Sequence, residues 1–175
     1  MIDLSQAFDS ICHSLLLKKL EATGVCDTAL TWFCSYLTGR RQRVLTHRAC
    51  SEWRDVTIGV TQGSILRPLL FLIFVNDLPT KVQHCSINLY ANDTSIYASH
   101  PDPSMVGTLL EEDISEWLEC NGLKMNMAKT QLVVLCSHRK SYQEDQVDVR
   151  IGTSVLRRQA DFCQVLRCHS AWTNT

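Results

Sequence analysis

The sequence is poor in the features that announce a function at once. It has no CxxC pair among its nine cysteines, and their number is odd. A disulfide framework is therefore not expected, and scattered reduced thiols point to an intracellular compartment, nuclear or cytoplasmic. Cys163, Cys168 and His169 match no zinc spacing and have no second pair. No strong net charge exists: the formal value is −1 over 175 residues. Any surface for nucleic acid must then be local. No apolar run approaches the roughly 20 residues of a membrane span, since the longest, Pro68 to Val75, has eight residues. Met1-Ile2 is followed at once by Asp3, so no secretory leader is expected. No repeat, low-complexity linker or Gly-rich nucleotide loop appears.

What is present is an ordinary globular composition, 45% apolar and 20% charged. Helices are expected over Ser10 to Leu20, Thr28 to Leu37, Ser64 to Asp77 and Met105 to Cys120. The last has its stripe at Val106, Leu109, Leu110, Ile114, Trp117 and Leu118. Ser10 or Asp9 is expected to cap the first helix. Arg41 to Thr46 and Trp53 to Ile58 read as strands around a turn. Ser86 to Tyr90 and Thr94 to Ala98 read as a hairpin about Asn92-Asp93, because Asn and Asp tolerate tight-turn backbone. Gln131 to Cys136 and Val147 to Ile151 are further strand candidates. Hairpins interleaved with long helices favour an α+β fold, with an antiparallel sheet covered by helices on one face.

Two acids stand at strand ends, Asp3 and Asp93. Carboxylates so placed can bind a pair of Mg²⁺ ions roughly 3.5–4 Å apart, or can simply form turns. Spacing alone does not separate the two. "GRRQR", Gly39 to Arg43, is a local basic cluster that suits a nucleic-acid backbone or a solvated strand edge.

Four blocks in order narrow the choice. They are "DLSQAFDSICHSLLLKKL" from Asp3, "GVTQGSILRPLLFLIFVNDLP" from Gly59, "LYANDTSIYA" from Leu89 and "NGLKMNMAKTQLVVL" from Asn121. Together they resemble the palm motifs of LINE-type, non-LTR retrotransposon reverse transcriptases, over about residues 1 to 136. The resemblance implies a palm-like antiparallel sheet with helices on one face, with fingers and thumb largely missing. It implies a partial domain at 1–159 and a divergent tail at 160–175. It also implies RNA template, DNA primer and dNTP as partners, and a two-Mg²⁺ site.

By the same resemblance Asp3 and Asp93 are metal ligands. Asn92 stands where the family has its principal third-block aspartate, a degenerate ligand position. Lys129 lies near the departing pyrophosphate, Phe8 excludes a ribose 2′-OH, and Tyr90 sits beside the primer end. Gln62 and Gly63 form the turn that approaches template or nucleotide. Asn keeps one carbonyl oxygen but loses a full charge and bidentate ability, so impaired catalysis is expected. The alternative is a non-catalytic remnant that binds nucleic acid or protein. Arg67 replaces a usual glycine, and its long side chain is expected to crowd the adjacent loop or reach water.

Overall fold

The structure, a computed structural model, describes residues 1–90, 93–134, 149–151 and 154–156. In chain order the elements are β1 (Leu4–Ser5), α1 (His13–Ala22), α2 (Asp27–Leu37), β2 (Arg41–Gln42), β3 (Arg54–Asp55), α3 (Leu66–Val75), α4 (Leu78–Lys81), β4 (Ser86–Tyr90), β5 (Asp93–Tyr97), α5 (Pro103–Cys120), β6 (Lys124–Met125), β7 (Val149–Ile151) and β8 (Ser154–Leu156). The fold is α+β, with small antiparallel ladders among helices. The contacts divide the chain into two compact units.

The helical unit comprises Leu4–Lys81 and Trp117–Lys124. Leu16 and Leu20 on α1 and Leu70 and Phe74 on α3 are fully buried. Each such side chain contributes about 1.5–3 kcal/mol by leaving water. α3 carries eight apolar side chains in ten positions, and Pro68 falls in its first turn, where its missing N–H costs nothing. One ammonium ties the unit together. Lys19 Nζ donates to the Phe74 carbonyl at 2.6 Å, to Asp77 Oδ1 at 2.8 Å and to Asn121 Oδ1 at 2.6 Å. It also lies 4.5 Å from the Phe74 ring centroid. Asp77 Oδ1 in turn accepts the Trp117 indole N–H at 3.1 Å.

The start of α1 corrects the expected cap. Cys12 is the N-cap, without a side-chain cap bond to the backbone, and its thiol lies 3.2 Å from the Ser14 hydroxyl. Asp9 is turned instead to Arg67. The β2–β3 hairpin is also shorter than expected, with two residues per strand in the register Arg41↔Asp55 and Gln42↔Arg54. All four are exposed. A ribbon with no buried face gains little from longer pairing, and beyond the ladder the two segments are joined by an isolated Leu45↔Cys50 bridge and by single backbone bonds such as Val56 N–H to the Arg40 carbonyl at 2.9 Å.

The second unit comprises Met1–Asp3, Val82–Glu116 and the chain from Met125 onward. β4 and β5 pair from Ser86↔Tyr97 to Tyr90↔Asp93. Leu110, Val149 and Leu156 form a buried cluster, with Ile96, Val106 and Met125 packed on it. Asp113 lies on the same stripe of α5 and is buried. Its carboxylate accepts the backbone N–H groups of Gln83, His84 and Cys85 at 3.0, 2.9 and 2.8 Å. Residues 131–134 have no regular structure, so the described part of the Gln131 to Cys136 candidate is not a strand. Its last two residues lie outside the described residues, as do 147–148 and the tail.

Candidate functional site

The two acidic candidates meet through their neighbours. Ile2 and Thr94 form an isolated antiparallel bridge, with the Ile2 N–H donating to the Thr94 carbonyl at 2.7 Å. In that register Asp3 stands across from Asp93, where paired residues of antiparallel strands lie roughly 4.5–5.5 Å apart. Ile2 and Thr94 are both buried. Side chains alternate along extended chain, so the carboxylates fall on the other face, with Asp93 exposed and Asp3 half-buried.

Asp3 is held from the fourth block. Its N–H donates to Thr130 Oγ1 at 3.2 Å, and its carbonyl accepts the Asn126 N–H at 2.8 Å. Thr130 is buried. Asn126 Oδ1 also accepts the Ala128 N–H at 3.2 Å, which folds "NMAKT" into a tight turn. Sequence reasoning took Lys129 from this block and missed Asn126 and Thr130, the residues that position Asp3. The signal lay in the Asn at the head of the turn, a residue type that bonds backbone two positions on. Lys129 and Tyr90 are exposed on this unit. Asn92 lies outside the described residues. Among the described residues no group of three or more His, Cys, Asp or Glu side chains is gathered as a metal site. Asp3 and Asp93 are a pair. Two facing carboxylates with hard oxygen donors fit a divalent cation of the Mg²⁺ or Mn²⁺ kind.

Phe8, Gln62 and Gly63 belong to the helical unit. The chain after Phe8 is pinned to the second block: Val60 N–H donates to the Phe8 carbonyl at 2.9 Å, and Gly59 N–H to that of Ile11 at 2.7 Å. Gly59 has φ +84, and a Cβ there would lie 3.0 Å from the Asp9 carbonyl oxygen. Only glycine meets both demands. His13, buried, donates Nε2–H to the Gly59 carbonyl at 2.7 Å. Gln62 and Gly63 are exposed at the tip of this loop.

Arg67 neither crowds the loop nor points into water. Its guanidinium lies 4.5 Å from the Phe8 ring centroid and 3.4 Å from Asp9 Oδ1. Phe71 flanks Phe8 as well, centroid to centroid 4.7 Å. The Phe8 ring is thus gripped by an arginine and an aromatic. A cavity of about 490 Å³ is lined by Asp9, Arg40, Arg41, Gln42, Thr61 and Gln62, among others. Arg40 donates to the Thr61 hydroxyl. The basic cluster and the second block thus share one concavity.

The chain belongs to the reverse transcriptase (RNA-dependent DNA polymerase) family, whose model matches residues 1–162. Within it the chain is of the non-LTR retrotransposon type. It is 31% identical over 145 residues to the probable RNA-directed DNA polymerase from transposon BS of Drosophila melanogaster, covering 74% of this chain and 15% of that protein. It is 27% identical over 150 residues to the RNA-directed DNA polymerase from mobile element jockey of the same organism, covering 80% of this chain and 16% of that protein. To the probable RNA-directed DNA polymerase from its transposon X-element it is 38% identical over 78 residues, 45% of this chain and 8% of that protein. The chain thus spans less than a fifth of these relatives. The family generally uses divalent metal ions. No described helix is long and apolar enough to cross a membrane.

Proposed function

We propose that this chain is a palm-type platform for RNA-directed DNA synthesis, with RNA template, DNA primer and dNTP as its substrates. The observation that carries the proposal is the Ile2–Thr94 bridge, which sets Asp3 across from Asp93. These two carboxylates are the proposed Mg²⁺ ligands. A divalent cation, when bound, neutralises phosphate charge and favours the ionised primer hydroxyl. Thr130 and Asn126 hold the Asp3 backbone while its carboxylate stays free to bind.

The remaining residues orient and select. The ring of Phe8 fills the space of a ribose 2′-OH without offering it a bond. Gln62 and Gly63 let template or nucleotide approach the backbone closely. Tyr90 steadies the primer end, and Lys129 supplies positive charge or a proton to departing pyrophosphate.

Asn92 limits this chemistry. Close cations repel each other, and each missing carboxylate leaves more of that repulsion uncompensated. The loss lowers the rate by about 10²–10⁴. Primer extension on a homopolymer RNA template with Mg²⁺ or Mn²⁺, together with calorimetric Mn²⁺ titration, tests the reading. Asn92→Asp is expected to raise both extension and affinity, and Asp3→Asn to abolish the affinity. An Asn92→Asp protein that binds Mn²⁺ no better than the parent overturns the ligand assignment. The second reading, a non-catalytic nucleic-acid-binding remnant, is supported by the same substitution. It would be sustained by strand binding with no extension from either chain.

A further inference from the structure

The whole chain carries a charge of −1, yet residues 39–55 hold five arginines (Arg40, Arg41, Arg43, Arg48 and Arg54) against two acids, Glu52 and Asp55. This local charge of +3 sits on the β2–β3 ribbon and its loop, every residue of which from Arg41 to Asp55 is exposed. The ribbon is also aromatic. Trp53 is half exposed. The Arg43 guanidinium lies 4.6 Å from its ring centroid, and that of Arg41 lies 6.0 Å away. Arg40 approaches the Tyr36 ring at 5.9 Å, and Tyr36 stacks on Trp32 with centroids 5.4 Å apart. Trp32 is itself half exposed.

Three of these guanidiniums, those of Arg40, Arg41 and Arg43, are thus laid against rings. Arg41 shares an exposed 3.3 Å pair with Asp55. Arg43 has no carboxylate partner among the described residues. A guanidinium held over an aromatic face keeps its N–H edge outward for a phosphate. The rings beside it offer base-sized surfaces at low entropic cost. An electropositive track interleaved with aromatics is the chemistry that takes an unpaired strand, since stacking needs bases free of a partner. Arg40 and Arg41, next to Arg43 in sequence, line the cavity shared with Thr61 and Gln62, whose volume suits a small-molecule-sized group.

We infer that the β2–β3 ribbon, centred on Arg43 and Trp53, is a single-stranded nucleic-acid contact. It deepens the polymerase reading by assigning the surface that takes a strand. Its test is run without metal, so failed polymerisation and failed binding are separate results.

The whole chain is titrated into labelled single-stranded RNA and DNA oligonucleotides in chelator, by anisotropy, across a salt series. Arg43→Gln is expected to weaken binding about five- to tenfold and to lower the salt slope by about 0.7, the value of one phosphate contact on a single strand. Trp53→Ala is expected to weaken binding similarly, and Trp53→Phe to retain most of it. Lys81→Gln, the same charge change on α4, is the control and is expected to stay within twofold. Arg43→Gln no weaker than Lys81→Gln overturns the assignment. So does a Trp53→Ala that melts like the parent and binds undiminished, which would leave a surface reading charge alone. Duplex bound as tightly as single strand, or displacement of the strand by polyglutamate at equal charge, overturns it as well. Should Trp53→Ala not fold, Arg43→Gln and Trp53→Phe decide.

Discussion

Ile2 and Thr94 share one backbone hydrogen bond, 2.7 Å long, and it sets Asp3 across from Asp93. Their own side chains are buried, so the bridge is anchored on one face and open on the other. Thr130 is the next link, because its hydroxyl takes the Asp3 N–H at 3.2 Å. Thr130→Val keeps the shape and leaves that N–H without its partner. The expected loss is about 1 kcal/mol in urea unfolding, with Mn²⁺ affinity down about threefold to tenfold; Thr130→Ser restores both. Unchanged affinity with lowered stability would show that Thr130 supports the fold and not the acid.

Two glycines of the second block make a matched pair. Gly59 and Gly63 have φ +84 and +78, but only Gly59 has backbone within 4 Å of its missing Cβ. Gly63→Ala is expected to cost about 1–2 kcal/mol, the left-handed penalty alone. Gly59→Ala adds a clash with Asp9 and is expected to cost more. Chemical denaturation of both variants checks the order. Equal losses would mean that the Asp9 backbone yields at no cost.

Asp113 couples stability to acid. Burial alone would push its carboxyl up, but the amides of Gln83 and His84 and the thiol and amide of Cys85 outweigh it and hold it below the usual carboxylate range. A depressed folded value means stability that is complete above the unfolded pKa of about 3.9 and lost as pH falls through the folded value. Asp113→Asn is expected to flatten that acid limb and to cost about 1–3 kcal/mol at neutral pH. Melting curves from pH 2 to 7 decide. An unchanged acid limb in the variant would assign it to other carboxylates. The neighbouring Cys85 thiol is pushed up to about 12 by burial and by Asp113. It should therefore alkylate far more slowly than exposed Cys26, Cys34 and Cys50 in mass-spectrometric labelling.

Lys19 gives the largest expected effect on stability. Lys19→Met fills much of the same space and leaves the Phe74 carbonyl, Asp77 Oδ1 and Asn121 Oδ1 without their donor. The expected cost is about 3–5 kcal/mol. A cycle with Asp77→Asn should be strongly non-additive. Additive losses would mean that the two residues act separately.

How far the sequence foretold this differs by element. The 3.6-residue stripes of α1, α2, α3 and α5 were legible because apolar burial dictates them. The β4–β5 hairpin was legible from its two short apolar runs, but Asp93, expected at the tip, belongs to the ladder and pairs with Tyr90. The β2–β3 strands were overextended, since alternation alone says nothing about whether a face is covered. Asp113 was not singled out. Its place among Leu110, Ile114 and Trp117 on the stripe was the overlooked sign of burial. The pairing of Asp3 with Asp93 followed the family resemblance, whereas the hold on Asp3 by Asn126 and Thr130 depends on a contact across about 125 residues. The same holds for Arg67 on Phe8: a substituted glycine was visible, but not the ring waiting for its guanidinium.

The three acceptors of Lys19 also set an order of birth. Asp77 is 58 residues downstream and Asn121 is 102. A ribosome releases the first long before the second. For that interval α1 and α3 have left the exit tunnel without Asn121 or the Trp117 ring. Emerging chain in this state presents fat-soluble helix surface and a half-coordinated cation to the cell, a natural client for holding chaperones.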